Sequence, residues 1–238
     1  MSLRIAMWSG PRNLSTAMMY AFRARGDCRV SDEPYYAAYL AQTGLDHPLR
    51  AAILASQPVD PQKVVLDTDT DSPIWYQKHM TQHMLPQMPR GWMTACRHAF
   101  LIRHPARVIA SYARKREAPN LNDIGFVQQQ QLFDHICQST GTAPPVIDST
   151  DIRANPGPML QALCAALDIA YTDRMLRWPA GPKPEDGVWA PVWYQAVHRS
   201  TGFDTAEGPL PVLPAAYQSL ADAAMAPYET LAAHKLTA

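Results

Sequence analysis

The sequence lacks the cysteine pattern that a zinc site or a disulfide framework requires. Its four cysteines form no CxxC pair and have no spacing typical of metal ligands, which favours a reduced, cytoplasmic setting. The chain also lacks an excess of either charge, because 21 lysines and arginines balance 21 aspartates and glutamates. Nonspecific binding to nucleic acid needs a basic surface, so no nucleic-acid partner is expected.

Long apolar runs are absent as well. No stretch approaches the roughly 20 residues that span a bilayer, and the apolar residues before Ser9 are too few for the core of a signal peptide. The sequence therefore predicts no membrane partner and no export. At 238 residues the chain is long enough for one large α/β domain and short for two, so we expect a single domain over residues 1–238.

Proline is abundant, with 22 residues that cluster after position 143. Such clusters indicate ordered, irregular loops rather than a linker between domains. Beyond about residue 178 the sequence is rich in proline and tryptophan until a helical pattern over 214–234. We predict that this part forms a C-terminal cap region of the domain.

Before that cap, short apolar runs alternate with helical patterns. Strands are predicted at 3–8, 28–36 (running out at Asp32-Glu33-Pro34), 74–79, 98–104 and 144–148, with 63–68 either a strand or an extended loop. Helices are predicted at 13–25, 35–42, 47–56, 105–117, 121–139 and 158–168, with a helix-like segment at 81–88. Alternation of this kind indicates a mainly parallel sheet covered on both faces. The predicted fold class is α/β, a three-layer α/β/α arrangement with a mainly parallel central sheet.

The segment SGPRNLST, residues 9–16, joins the first predicted strand to the first helix. Open parallel sheets bind ligands beyond the carboxyl ends of their strands, and this first loop is the usual place for a phosphate. Free N–H groups, the helix dipole, two hydroxyls and the charge of Arg12 all favour an anion there. The alternative is a structural turn in which Ser15 only caps the helix. The predicted binding residues are Gly10, Pro11, Arg12, Asn13, Leu14, Ser15 and Thr16.

This loop does not fit a nucleoside-triphosphate site. Such a loop reads GxxxxGK[ST], whereas the stretch from Gly10 reads GPRNLST, with Leu14 and Ser15 in place of the glycine and the lysine. The lysine that holds the β and γ phosphates is missing. ATP or GTP hydrolysis is therefore disfavoured.

Two motifs resemble the sulfotransferases that use 3′-phosphoadenosine 5′-phosphosulfate (PAPS). PRNLST (11–16) is similar to the PKSGTT loop of that family, with Arg12 at the lysine position and Ser15-Thr16 at the two threonines. FLIRHPARVIASYARKR (100–116) resembles its 3′-phosphate motif, in which an arginine ends a strand and a serine follows eight residues later, here Arg103 and Ser111.

The spacing of the second motif has a mechanical reason. Eight residues are close to a whole number of helical turns, so the helix turns Ser111 back towards the arginine at the strand's exit. An arginine fork and a hydroxyl can then hold one phosphate. Alternatively, Arg103 is an ordinary surface arginine and Ser111 a small packing residue. A third stretch, 146–169, resembles the family's late strand and helix, so the resemblance runs from residue 4 to about 178.

The resemblance implies a fold similar to the P-loop NTPases. It also implies sulfuryl transfer from PAPS to a hydroxyl or amine of a small acceptor, with PAPS as co-substrate. Such a displacement needs alignment, cations on the leaving oxygens and a base for the acceptor proton, and no metal. Arg12 is the first candidate cation and Lys78 the second. The family often ends this strand in Lys-x-His with the histidine as base, whereas this chain has Lys78-His79-Met80, with His83 further on.

Other branches of the family look to use a glutamate near the end of the second strand, where this chain has Glu33. The predicted catalytic residues are therefore Glu33, Lys78, His79 and Arg12, with Glu33, His79 and His83 as alternatives for the base. Glu33 could instead cap the next helix, and the histidines could be polar surface residues.

Two further segments contain side chains that could take part in chemistry. DTDTDS (67–72) has three carboxylates at alternating positions but lacks the glycine and distal glutamate of a calcium loop, so a solvated turn is favoured and no metal is expected. The aromatic segment 183–203 either covers the active site, with Lys183, His198 or Arg199 as candidates, or forms a small aromatic core.

The competing functions are a kinase-like phosphotransferase of the P-loop class and a catalytically silent nucleotide-binding or scaffold protein on the same fold. Because the Lys-His register does not match that of the family, a catalytically silent protein stays an alternative. A homodimer is also left open.

Overall fold

The computed structural model describes residues 2–66, 68, 70–114 and 119–238. Parts of two sequence predictions fall outside these ranges, namely the end of the helix predicted at 105–117 and two aspartates of DTDTDS, Asp67 and Asp69.

A five-stranded sheet forms the centre of the described chain. Its strands are β1 (Leu3–Ser9), β2 (Cys28–Asp32), β3 (Ile74–Met80), β4 (Arg97–Ile102) and β5 (Val146–Asp148). Their order is β2-β3-β1-β4-β5, and each neighbouring pair is parallel. Ser9 at the end of β1 lies opposite Met80 of β3 and Leu101 of β4. The carboxyl ends of the three central strands therefore meet at one edge.

Eleven α-helices connect and cover these strands in the described ranges. They are α1 (Ser15–Ala24), α2 (Tyr36–Thr43), α3 (Arg50–Ser56), α4 (Pro105–Ala113), α5 (Leu121–Ile124), α6 (Phe126–Thr140), α7 (Ser149–Ala154), α8 (Pro156–Ala166), α9 (Ala190–Trp193), α10 (Gln195–Arg199) and α11 (Ala215–Ala232). Short 3-10 helices occupy Pro61–Lys63, Thr81–His83, Gly91–Ala95 and Asp173–Leu176.

Side chains of β1 alternate between two apolar layers, because successive residues of a strand point to opposite faces. Ile5 and Met7 pack with α1 and α8 on one face. Ala6 and Trp8 pack with α2, α3 and α6 on the other. The predicted three-layer α/β/α fold with a parallel sheet is confirmed. The described residues of 63–68 form no strand, so the extended-loop alternative holds there.

One predicted helix is split in two. The helix expected over 121–139 appears as α5 and α6, because Gly125 between them has a φ of 72°, which glycine adopts without strain. A Cβ at this position would lie 2.9 Å from the Thr81 hydroxyl oxygen and 3.7 Å from the Cα of Gly10. The break therefore lets α5 approach the first loop closely.

The structure also differs from the sequence predictions near 81–88 and 149–154. The helix-like segment at 81–88 contains only the 3-10 helix Thr81–His83, since Pro86 cannot donate the backbone hydrogen bond that an extended helix would need. The sequence analysis predicts no helix at α7, although Asp148 caps this short helix by accepting a hydrogen bond from the Thr150 N–H at 2.7 Å.

A helix must be both long and apolar to cross a bilayer. Within the part of the chain that the structure describes, no helix combines the length and the apolar character that a membrane crossing needs.

Candidate active site

The loop after β1 is held in an uncommon backbone conformation. Arg12 and Leu14 have φ values of 61° and 68°, a left-handed region that non-glycine residues occupy only when their surroundings hold them there. The buried Asn13 side chain supplies such a hold by donating to the Leu101 carbonyl at 3.2 Å. A Cβ on Gly10 would lie 2.8 Å from the Ile124 carbonyl oxygen, so this position requires glycine.

The helix that follows this loop begins without a side-chain cap. Its N-cap residue is Leu14, which makes no side-chain cap hydrogen bond, and Ser15 is the first helical residue. The alternative in which Ser15 only caps the helix is therefore wrong. The N–H groups of the first turn keep the capacity to bind an anion.

Arg12, Ser111 and Arg103 lie together, although they are far apart in the sequence. Arg12 Nε donates to the Ser111 hydroxyl at 3.0 Å, and Arg103 Nη1 donates to the Arg12 carbonyl at 2.8 Å. Burial, followed by the charges of Arg103 and Arg114, lowers the pKa of Arg12. Several cations held this close to one another favour an anionic ligand.

A cavity of about 430 Å³ opens at this edge of the sheet. Its wall includes ten of the twelve site residues that the sequence predicts, and Gly10 and His79 are the two that do not line it. The ten are Pro11, Arg12, Asn13, Leu14, Ser15, Thr16, Glu33, Lys78, Arg103 and Ser111. Side chains from beyond residue 178, including Trp193, Tyr194 and Phe203, also line the cavity.

Lys78 lies beneath this cavity with its ammonium group enclosed by oxygen atoms. Parallel pairing sets Lys78 opposite Asp32, and Nζ donates to Asp32 Oδ1 at 2.8 Å, Glu33 Oε1 at 2.6 Å and the Tyr194 hydroxyl at 2.6 Å. The side chains of Lys78 and Asp32 are each 1% exposed. All three donor sites of an ammonium group are therefore used.

Two carboxylates share this one ammonium, which affects their protonation. Burial raises the pKa of Glu33, and the nearby Lys78 only partly opposes it. Burial alone would lower the pKa of Lys78, but the charges of Asp32 and Glu33 outweigh it and raise that pKa. Lys78 therefore stays charged, and Glu33 is a carboxylate with increased affinity for a proton.

The Glu33–Lys78 pair is held by hydrogen bonds that involve Asp32, Tyr194 and Trp189. The sequence analysis gives none of these three residues an individual role in the site. The Tyr194 hydroxyl donates to Asp32 Oδ2 at 2.7 Å and accepts from Trp189 Nε1 at 2.9 Å. Asp32 Oδ2 also accepts from the Gly187 N–H at 3.0 Å. In the sequence, only the aromatic cluster of 183–203 pointed to Tyr194 and Trp189. Its residues both line the cavity and form buried hydrogen bonds behind the Glu33–Lys78 pair.

The three loose candidates of the C-terminal segment are not part of the cavity wall. Lys183 Nζ donates to the carbonyls of Pro179 and Gly181, both at 2.7 Å. His198 Nε2 lies 3.0 Å from Asp186 Oδ2, and Arg199 is exposed. The first two therefore hold the segment's own turns.

His79 and His83 have different surroundings. The His79 ring lies between Trp8 and Trp92, with ring centroids 4.6 and 5.0 Å away, and it does not reach the cavity. His83 lines the cavity, stacks on Tyr36 at 4.5 Å, and places Nδ1 3.9 Å from Glu33 Oε2. Burial lowers the pKa of both imidazoles, that of His79 to about 3.

His79 should therefore stay neutral from pH 8 to pH 5. Its ring resonances, assigned by their loss in a His79→Phe variant, should not move in an NMR titration over this range. In urea all histidines of the same sample should titrate near 6.5, which serves as the internal control. A folded-state midpoint near 6.5 for His79 would contradict its burial between the tryptophans.

The described residues contain no group of three or more histidine, cysteine, aspartate or glutamate side chains that could hold a metal ion. Two of the three aspartates in DTDTDS, Asp67 and Asp69, lie outside those residues.

The fold and the cavity define an α/β protein whose first strand is followed by a loop that lines a cavity at the carboxyl edge of the sheet. Comparison with known families gives the particular class, since a model of the sulfotransferase domain matches residues 3–235. The chain therefore belongs to the sulfotransferase domain family.

Two solved structures share the fold. The sulfotransferase domain from the curacin biosynthetic pathway aligns with a TM-score of 0.54 at 16% identity, covering 94% of this chain and 97% of that one. The sulfotransferase domain from the Synechococcus PCC 7002 olefin synthase aligns with a TM-score of 0.56 at 16% identity, covering 93% and 94%.

Two curated relatives come from Arabidopsis thaliana. Branched-chain-amino-acid aminotransferase-like protein 1 is 37% identical over 233 residues, and protein 2 is 35% identical over 233 residues. The match covers 97% of this chain but only 42% and 41% of the two relatives. The chain thus spans less than half the length of these proteins.

Proposed function

We propose that the chain transfers a sulfuryl group from PAPS to a hydroxyl or amine of a small acceptor bound in the cavity. One observation carries this proposal: the first loop, the Arg103–Ser111 pair and the Glu33–Lys78 pair face a single cavity at the carboxyl edge of the sheet. Membership of the sulfotransferase domain family supports it.

The donor would be held at its two anionic ends. Residues 11–16 and the N–H groups of α1 suit the 5′-phosphosulfate, and Arg103 with Ser111 suits the 3′-phosphate. The Arg103–Arg12 hydrogen bond of 2.8 Å supports this arrangement, because it joins the two groups of residues that would hold the donor. Arg12, with its lowered pKa, is the cation that would stabilise the charge developing on the leaving phosphate.

The acceptor would lie between Glu33 and the aromatic wall. Glu33 Oε1 is bonded to Lys78, whereas Oε2 lies 3.9 Å from His83 Nδ1. Among the described residues His83 Nδ1 has no hydrogen-bond partner, so together they offer polar atoms for a hydroxyl or amine. As the acceptor's bond to sulfur forms and the bond from sulfur to the bridging phosphate oxygen breaks, the acceptor proton would pass to Glu33.

Lys78 would act through Glu33 in this arrangement. Its three donors are used by Asp32, Glu33 and Tyr194, so it orients the carboxylate rather than reaching the donor. His79 has no surface on the cavity, and the proposed mechanism assigns it no step.

The names of the two curated relatives do not alter this proposal. The sulfotransferase model covers residues 3–235 of this chain, so the matched part of each relative corresponds to that domain. We assign the aminotransferase-like part of their name to the remainder of those longer proteins. We also propose a cytoplasmic setting, which the four free cysteines support.

Calorimetric titration tests the proposed donor. The protein should bind adenosine 3′,5′-bisphosphate more tightly than ADP with magnesium, and PAPS with a panel of small hydroxylated and amine acceptors should yield sulfated product. Preference for ADP with magnesium would favour the kinase-like alternative. Bisphosphate binding without transfer to any acceptor would favour a silent nucleotide-binding protein.

Replacing Arg103 with alanine should weaken adenosine 3′,5′-bisphosphate by roughly 10- to 100-fold. The expected size follows from about 1.5–3 kcal/mol for a hydrogen bond to a charged group and about 1.4 kcal/mol per tenfold in affinity. Arg97→Ala is the matched control, because Arg97 begins the same strand and pairs with Asp168 at 2.9 Å. Equal affinities of both variants and the wild type, measured by calorimetry, would remove Arg103 from the donor site.

A further inference from the structure

The carboxylate of Glu207 lies at the centre of three arginines. Oε1 accepts hydrogen bonds from Arg103 and from Arg153, the latter at 2.9 Å. Oε2 lies 3.0 Å from Arg107 Nε and accepts from the Thr150 hydroxyl at 3.0 Å. Only 3% of the Glu207 side chain is exposed. A single buried carboxylate thus occupies a site with four donor side chains.

These donors come from three elements at the carboxyl edge of the sheet. Arg103 follows β4, Arg107 lies in α4, and Thr150 and Arg153 lie in α7. Arg103 and Arg153 also line the cavity. The cluster therefore shares two arginines with the cavity wall, whereas Glu207 itself does not line the cavity.

The cluster keeps a surplus of positive charge. Within the described ranges its three guanidinium groups are paired with only two carboxylates. One is Glu207, and the other is the largely exposed Asp204, which lies 3.5 Å from Arg153. Burial alone would raise the pKa of Glu207, but its hydrogen bond to Arg103 and the surrounding arginine charges lower it. Among the described residues Arg103 Nε is buried without a hydrogen-bond partner. The site thus has more charge and more donors than one carboxylate uses.

A phosphate group would fit this site better than the carboxylate does. It carries up to two negative charges and three terminal oxygens, whereas a carboxylate has one charge and two oxygens. Arginine forks are suited to phosphate because they donate two parallel hydrogen bonds.

The segment that carries Glu207 has little regular structure or burial to hold it in place. Residues 203–214 contain no helix or strand, and most of them are exposed, with Val212 at 97% and Leu210 at 49%. Leu213 adds partial apolar packing. Phe203, at the start of the segment, packs edge-on against Trp178 with ring centroids 5.2 Å apart. The other contacts are largely polar, and they include the Arg153 bond to the Thr205 carbonyl at 3.0 Å. An anion that competes for the arginine cluster would break the ion pairs of Glu207 with Arg103, Arg107 and Arg153, which are the segment's buried charged contacts.

We propose that Glu207 is an internal substitute for a nucleotide phosphate: in the free protein it occupies Arg103 together with Arg107, Arg153 and Thr150, and the donor's 3′-phosphate, which Arg103 and Ser111 would bind, displaces it. The proposal rests on the proposed function, since the donor supplies that phosphate. Donor binding is then coupled to release of the segment 203–214, and the free protein is held in a self-inhibited state.

Calorimetry of a Glu207→Gln variant tests the competition. Glutamine keeps the size of the side chain but removes its charge, so affinity for adenosine 3′,5′-bisphosphate should rise about tenfold or more, the scale of a lost charged hydrogen bond. Affinity for adenosine 5′-monophosphate, which lacks the 3′-phosphate, should not change. Glu185→Gln is the matched control, because Glu185 pairs with Arg23 at 2.7 Å away from the cluster.

The outcomes separate this inference from the proposed function. If the wild type prefers the bisphosphate to the monophosphate and Glu207→Gln leaves that preference unchanged or weakens it, the displacement is overturned and the donor assignment stands. If neither protein distinguishes the two nucleotides, both proposals fail.

Proteolysis of the wild-type chain provides a measurement that does not depend on how the variant folds. Glutamyl endopeptidase must bind the glutamate side chain to cleave after it, and that of Glu207 is 3% exposed. Saturating bisphosphate should accelerate cleavage between Glu207 and Gly208, whereas the monophosphate should not. Cleavage that the bisphosphate slows or leaves unchanged would show that Glu207 stays in place.

Discussion

Replacing Glu33 with glutamine should lower kcat for sulfuryl transfer by about 10²- to 10⁴-fold, the usual contribution of a general base. Glutamine keeps the shape of the side chain and can still accept a hydrogen bond from Lys78, which lies 2.6 Å from Glu33 Oε1. It cannot take up the acceptor proton. Affinity for adenosine 3′,5′-bisphosphate should be unchanged, so the loss should appear in kcat and not in donor binding.

The pH dependence of kcat/KM gives the same assignment independently. Burial raises the pKa of Glu33 above the usual range of a glutamate, and a base must be deprotonated to act. Activity should therefore rise with pH through an acid limb that lies above pH 4.5, the ordinary value for this group. The limb should be absent from the residual activity of Glu33→Gln.

His83 is the competing base, and His83→Asn is the matched comparison. Its imidazole lies 3.9 Å from Glu33 and has a pKa well below the ordinary value because of burial. If Glu33 is the base, His83→Asn should retain the acid limb and lose less activity than Glu33→Gln. A variant pair with the opposite ranking would transfer the role to His83.

The first loop and the Arg103–Ser111 pair could be predicted because each depends on local geometry. The loop joins a strand to a helix over a few residues, and a serine eight residues after the arginine is placed by helical periodicity. The contact between the two motifs followed from the sheet, since β1 and β4 are parallel neighbours whose carboxyl ends must meet.

The position of His79 could not be predicted from the motif that suggested it. Successive residues of a strand point to opposite faces, so a shift of one position reverses the side chain. Lys78 and Met80 therefore line the cavity, while His79 packs against Trp8 in the layer behind the sheet. The departure from the Lys-x-His register thus has a direct structural consequence.

Tyr194 and Glu207 could not be assigned from the sequence because their partners are distant. Tyr194 bonds to Lys78 across 116 residues, and Glu207 bonds to Arg103 across 104. Both lie in irregular or short helical segments of the C-terminal region, where no periodicity fixes the direction of a side chain.

Replacing Lys78 with methionine should lower the free energy of unfolding by about 3–5 kcal/mol, the usual cost of removing one partner from a buried ion pair. Methionine fills most of the space of the lysine stem. It leaves Asp32 and Glu33 as neighbouring carboxylates without the ammonium that now lies 2.8 and 2.6 Å from them. Urea denaturation at neutral pH measures this loss.

The loss should become smaller as the pH falls, and the sign follows from linkage. Without Lys78 the pKa of Glu33 rises further, because the ammonium is the largest influence that lowers it. A carboxyl whose pKa is higher in the folded than in the unfolded state contributes stability at low pH and loses it as the pH rises. Stability of Lys78→Met relative to the wild type should therefore recover between pH 8 and pH 5.

Lys235→Met is the matched control for this prediction. Lys235 pairs with Asp151 at 2.9 Å, but its side chain is 39% exposed, and exposed pairs contribute about 0–1 kcal/mol. If Lys78→Met were no less stable than Lys235→Met and showed no dependence on pH, Asp32 and Glu33 could not be sharing the Lys78 charge. Glu33 would then have neither the raised pKa nor the fixed orientation on which its role as a base depends.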